Sequence, residues 1–137
     1  PGNTAGARYC GVRPYDKVCG SDLMEKIITY FDTGELSYEC ETKSGKKHGL
    51  ERHYYKNGDV FSEGQFENGV RVGRILEWNE VGLLIRSAEY DGGLLNGEYE
   101  SRWENGLLKE KGRFCAGVRE VGYTWFGMDG SVRSVLE

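Results

Sequence analysis

Apolar and polar residues alternate along most of this chain, and the alternation restarts every 24 residues. Leu36, Val60, Leu84, Leu108 and Val132 form one column at that step. Four residues later comes a small column, Cys40, Gly64, Ala88 and Gly112. Two further on stand Phe66, Tyr90 and Phe114, with Thr42 as the odd member. Positions separated by even numbers lie on one side of a strand, so the three columns predict one buried face. The other parity reads Glu39, Glu41, Glu63, Gln65, Glu89, Lys109, Lys111 and Arg113, a solvated face. A small residue between strands that carry rings lets a neighbour's aromatic lie across the backbone.

Glycine keeps the same step. Gly34, Gly58, Gly82, Gly106 and Gly130 form one column, Gly45, Gly69, Gly93 and Gly117 a second, and Gly49, Gly73 and Gly97 a third. In the last copy the third column holds Val121, with Gly122 one residue late. Turns such as Asn57-Gly58, Asn105-Gly106 and Asp129-Gly130 between alternating segments are strong hairpin signals, because these residues tolerate positive φ. Each repeat therefore reads as strand, tight turn, strand and a longer turn, for example Glu67–Gly73. The predicted fold is all-β, an elongated antiparallel meander of about five 24-residue hairpins. A strand-ending aromatic pair precedes most turns. A two-residue loop would put Tyr55 and Trp103 on the Leu/Val face, whereas a three-residue loop with a bulge would put Tyr54, Trp78 and Phe126 there. Asp22–Asp32 tempts a helix assignment, but Lys26–Phe31 aligns with Leu50–Tyr55 and is rich in strand formers, so it is read as the first strand. Residues 25–137 form the repeat domain, and residues 1–24 are expected to cap its open edge.

The 137 residues contain 21 Gly but only 2 Pro, so the glycines mark turns and crowded backbone rather than low-complexity disorder. A net charge of −4 argues against nucleic acid as a partner. It also speaks against binding to an anionic membrane, since no polybasic stripe is present. Four Cys, an even count, together with a chain opening on Pro1 rather than Met, point to a periplasmic or exported protein, with the cytoplasm as the alternative. Cys40 and Cys115 lie three repeats apart, about 29 Å at the usual strand spacing, too far for a disulfide. Cys10 and Cys19 flank an eight-residue loop and are the first choice for a bridge; Cys19–Cys40 is the second.

Catalytic constellations are sparse. His48 and His53 are the only histidines, and two repeats, roughly 19 Å, separate His48 from Cys115. No Cys-x-x-Cys or histidine cluster suggests a metal, and the glycines recur at hairpin turns rather than before a helix. The chain is expected to have no cofactor and no catalytic residue.

The segment Gly45-Lys46-Lys47-His48-Gly49-Leu50-Glu51-Arg52-His53-Tyr54-Tyr55-Lys56-Asn57-Gly58 resembles the variant MORN repeat of the YwqK-like bacterial antitoxin family. The likeness covers about Glu25–Glu137 and is weaker where Asn79 and Gly127 replace the second aromatic. It implies a single twisted sheet of stacked hairpins that binds a protein, an immunity protein or antitoxin that occludes a cognate toxin. A structural or membrane-associated scaffold of the MORN type is the alternative. The expected partner-binding residues are the aromatics Tyr54, Tyr55, Trp78 and Trp103 and the acidic residues Glu39, Glu41, Glu63 and Glu89. The aromatics would supply affinity and the charges orientation.

Overall fold

A computed structural model describes residues 23–137. Over that span the chain is all-β: β1 (Met24–Tyr30), β2 (Leu36–Lys43), β3 (Lys46–Tyr54), β4 (Val60–Glu67), β5 (Val70–Trp78), β6 (Leu84–Asp91), β7 (Leu94–Arg102), β8 (Leu108–Cys115), β9 (Val118–Arg119), β10 (Thr124–Phe126) and β11 (Val132–Val135). They form one open antiparallel sheet in meander order, with the short β9 pairing only with β8. Lys26–Tyr30 is strand, as the register with Leu50–Tyr54 required. The expected cap, apart from its last two residues, and the Cys10–Cys19 bridge lie outside the described residues. Cys40 and Cys115 are free thiols among the described residues, and the second-choice Cys19–Cys40 bridge also falls on Cys19, outside them.

Two kinds of turn alternate. At Ser44-Gly45, Asn68-Gly69, Gly92-Gly93 and Ala116-Gly117 both residues have positive φ, the requirement of a two-residue type I′ turn. The tight turns are thus the ones that the repeat pattern assigned as long, and Gly73 lies inside β5. The Asn-Gly turns are the wider ones. Tyr55 bonds Gly58 through its carbonyl (3.0 Å) and Asp59 through its amide (2.8 Å), leaving three residues in the loop.

This loop is followed by a bulge that changes the faces. His53 pairs with Ser62 but Tyr54 pairs with Val60, so Phe61 is extra. The same slip recurs in each hairpin, between Thr29 and Tyr30, Glu77 and Trp78, Ser101 and Arg102, and Trp125 and Phe126. One extra residue carries the Leu/Val column to the opposite face from the small column. The even spacing had placed both on one face. Of the two loop alternatives, the three-residue one holds: Tyr54, Trp78 and Phe126 stand opposite Val60, Leu84 and Val132.

The third glycine column forms a second irregularity. Cys40 pairs with Glu51 and Thr42 with Lys47, so three residues around Gly49 face Glu41 alone. The amide of Leu50 then has no ladder partner and donates to Glu41 Oε1 at 2.9 Å, and Glu98 N likewise donates to Glu89 Oε1 at 2.7 Å. Gly49 has φ +107°, and a Cβ there would collide with the Glu41 carboxylate. Val121 replaces glycine in the last copy, and there the strand breaks into β9, a turn and β10.

A single layer has no apolar interior. Among the described residues the buried apolar side chains are Cys40, Ile75, Ala88, Phe114 and Tyr123, all on the face of the small column, here called the inner face. Most of the rest of that face is polar or aromatic, with Thr42, Glu51, Ser62 and Ser101 buried as well.

Candidate protein-interaction surface

The inner face is built from alternate residues of successive strands, and its crossing points hold charges rather than aliphatic side chains. Glu51 occupies a column otherwise held by Ile27, Ile75, Tyr99 and Tyr123, and it is 4% exposed. Its Oε2 accepts from Tyr38 Oη at 2.7 Å and Lys47 Nζ at 3.0 Å, and its Oε1 from Arg71 Nη2 at 3.2 Å. His53 Nε2 stands 3.9 Å away. Burial alone would raise the Glu51 pKa; hydrogen bonds from Tyr38 and Lys47 and the nearby cations outweigh it, so the carboxyl is held below its ordinary value. Burial, reinforced by Glu51 and opposed by Lys47, pushes Tyr38 up to about 12. Arg71 stacks over Phe66 at 4.5 Å and Tyr90 at 5.7 Å, which extends the network across two further strands.

Arg86 repeats the arrangement one hairpin later. It donates to Glu77 at 2.8 Å and to the hydroxyls of Tyr99 and Tyr90 at 3.3 and 3.4 Å. Burial opposes its charge, yet these partners hold its pKa above the ordinary value. At the far end Tyr123, 1% exposed, donates to Glu110 at 2.7 Å, and Arg119 lies over Phe114, Tyr123 and Trp125 at 4.9–5.5 Å. The small column works as its sequence suggested: a Cβ on Gly112 would meet the Tyr123 ring and stand 2.8 Å from its Cα. At the near end Tyr38, His53, Phe61 and Tyr55 form a chain of ring contacts 4.7–6.2 Å apart.

The residues singled out from sequence divide between the other face and the rim. Tyr54, Trp78, Glu39, Glu41, Glu63 and Glu89 share the outer face. Their charges are largely met there. Glu39 is bonded by Tyr54 Oη and Lys26 Nζ, and both hold its carboxyl low. Glu63 pairs with Arg52 at 2.8 Å and Glu89 with Arg74 at 2.5 Å, while Glu41 serves the Leu50 amide. Tyr55 and Trp103 lie at the wide-turn rim, where each bonds the next repeat: Tyr55 Oη to the Trp78 carbonyl (2.9 Å) and Trp103 Nε1 to the Phe126 carbonyl (3.3 Å). His48 Nδ1 accepts from Asn68 N at 3.1 Å on the opposite rim. Among the described residues no group of three or more His, Cys, Asp or Glu could hold a metal ion.

The inner-face network was not singled out from the sequence. Its signal was present in the 24-residue alignment, where Glu51 interrupts an Ile/Tyr column and Lys47, Arg71 and Arg119 share another. No protein-family model matches the chain, and no curated protein matches it.

Proposed function

We propose that this chain is a protein-binding module of the immunity or antitoxin type, which covers its partner with the inner face of the sheet and does no chemistry of its own. The observation that carries this reading is the half-buried array of Arg, Tyr, His and Trp side chains on that face. Arg, Tyr and Trp dominate interface hot spots because each offers large contact area together with a directional polar group. Here cross-strand bonds and ring stacking already fix their rotamers, which lowers the ordering cost of association. The outer face is a weaker candidate, since Glu39, Glu63 and Glu89 already have cations beside them. The antitoxin role itself rests on the resemblance of Gly45–Gly58 to the variant MORN repeat.

The test is binding and protection against the toxin encoded beside its gene. Calorimetric titration should give a stable complex, and co-expression should rescue growth. His53→Ala or Trp125→Ala should weaken binding at least tenfold, about 1.4 kcal/mol, while the exposed outer-face Lys111→Ala leaves it within twofold. Absence of a complex, or equal sensitivity of the two faces, would refute the assignment.

A further inference from the structure

The two outer strands of the described sheet are exposed along their whole length. All seven residues of β1 and all four of β11 are exposed, including Ile27, Ile28, Val132 and Val135. Interior strands of the same composition are half-buried. An apolar edge with free backbone groups is a template for strand addition.

The repeat fixes what fits there. Every second strand of a hairpin pairs with the first strand of the next hairpin, in one conserved register. Cys40 pairs with Glu51, Ala88 with Tyr99 and Lys111 with Thr124. β11 is a second strand, and β1 is a first strand. Advancing the Lys111–Thr124 pair by one repeat puts Val135 opposite the position that Ile28 holds in the first hairpin. The same register puts Leu136 opposite Ile27, Ser134 opposite Thr29 and Glu137 opposite Lys26. The match is apolar against apolar, hydroxyl against hydroxyl and anion against cation. Equivalent cross-strand pairs stabilise antiparallel sheets.

We propose that β11 of one molecule adds to β1 of a second copy of this chain, head to tail and in the phase of the internal repeat. The junction is heterologous, so it propagates instead of closing on a two-fold axis. One strand pair buries little area, which makes the association concentration-dependent. It uses strand edges and is independent of the inner-face reading above.

Sedimentation velocity of the full chain between about 5 and 500 µM tests it, a range set by the small junction. The weight-average mass should rise with concentration. Ile28→Lys and Val135→Lys, both at exposed positions, should hold the mass at that of the monomer while far-ultraviolet circular dichroism stays unchanged. Lys26→Glu and Glu137→Lys should each weaken association, and the double variant should restore it. That rescue separates an intermolecular pair from the existing Lys26–Glu39 contact, in which Glu39 is unchanged. A mass fixed at the monomer overturns the proposal, as does association that the edge variants leave intact. So does protection from hydrogen exchange, at the lowest concentration, of the β1 amides directed away from β2, which would place the chain's own N-terminal residues on that edge.

Discussion

Gly112→Ala isolates the idea that the small column exists to let neighbouring rings cross the backbone. The added Cβ would overlap the edge of the Tyr123 ring and stand 2.7 Å from its Cγ and 2.8 Å from its Cα. Carbon atoms in contact prefer about 3.5–4.0 Å. Rotating the ring relieves only part of this, because the backbone atom is equally close. Tyr123 is also fully buried and bonded to Glu110, so moving it disturbs a hydrogen bond worth about 1 kcal/mol. Overpacking of this kind costs about 1–3 kcal/mol, and the stiffer unfolded chain returns about 0.4–1 kcal/mol. With the disturbed hydrogen bond included, the net loss is about 1–3.5 kcal/mol, centred near 2, roughly 8 °C in Tm for a domain of this size. Gly64→Ala is the control. Its Cβ would meet Arg71 Nη1 at 2.8 Å, the guanidinium nitrogen that makes no hydrogen bond among the described residues, with side-chain atoms alone among its nearest neighbours, and Ala88 already occupies the column in the next repeat. Its cost should stay below about 1 kcal/mol, the range of a substitution that a side chain can evade. Urea titration followed by tryptophan fluorescence reads both, with Trp125 ring-packed on Tyr123 at 5.0 Å as the local reporter. If Gly112→Ala is as stable as the parent, or the two variants lose stability equally, the crossing-ring explanation is wrong.

Four further outcomes follow from other sites. Glu51→Ala removes the anion from between Lys47 and Arg71 and should destabilise the fold by about 3 kcal/mol, somewhat less if Lys47 gains water, as judged by urea midpoint. Because the folded-state pKa of Glu51 is depressed, its stabilisation is complete above the unfolded value, about 4.3, and is lost as pH falls through the folded value; the gap between parent and Glu51→Gln should therefore narrow from pH 7 to pH 3. Glu41→Ala strips the Leu50 amide of its acceptor, so exchange at Leu50 should quicken while overall stability falls by about 1 kcal/mol, measured by hydrogen exchange with NMR. Thiol labelling mapped by mass spectrometry should find Cys115 reactive in the native protein and Cys40 reactive only after unfolding, since burial also raises the Cys40 pKa.

The architecture was legible because it is periodic. Three glycine columns and one aromatic step required hairpins, and even the helix-like Lys26–Phe31 was settled by register. The assignment of faces was not legible. It turns on a single extra residue after each wide turn, Phe61 for example, and alternation counted through that residue gives the wrong side for Val60. The turn lengths were exchanged for a related reason: Asn57-Gly58 and Asn68-Gly69 carry the same dipeptide, yet the former closes a three-residue loop and the latter a two-residue one. The candidate surface was legible only in part. Tyr54, Trp78 and the acidic residues share one face, but Arg52 and Arg74 answer Glu63 and Glu89 from adjoining strands, which a scan along one strand does not reveal. Glu51 was visible as a misfit in its column, and only spatial neighbours gave that misfit a meaning.

Strand bonding in this sheet joins close neighbours along the chain, the widest pair being Met24 and Lys43, 19 positions apart. Little loop entropy has to be spent before a contact forms, so folding should be quick for an all-β chain and able to start from any hairpin. The same locality means that hairpins can be gained or lost in evolution without rerouting the chain, and the length of the array becomes a freely adjustable property of the molecule.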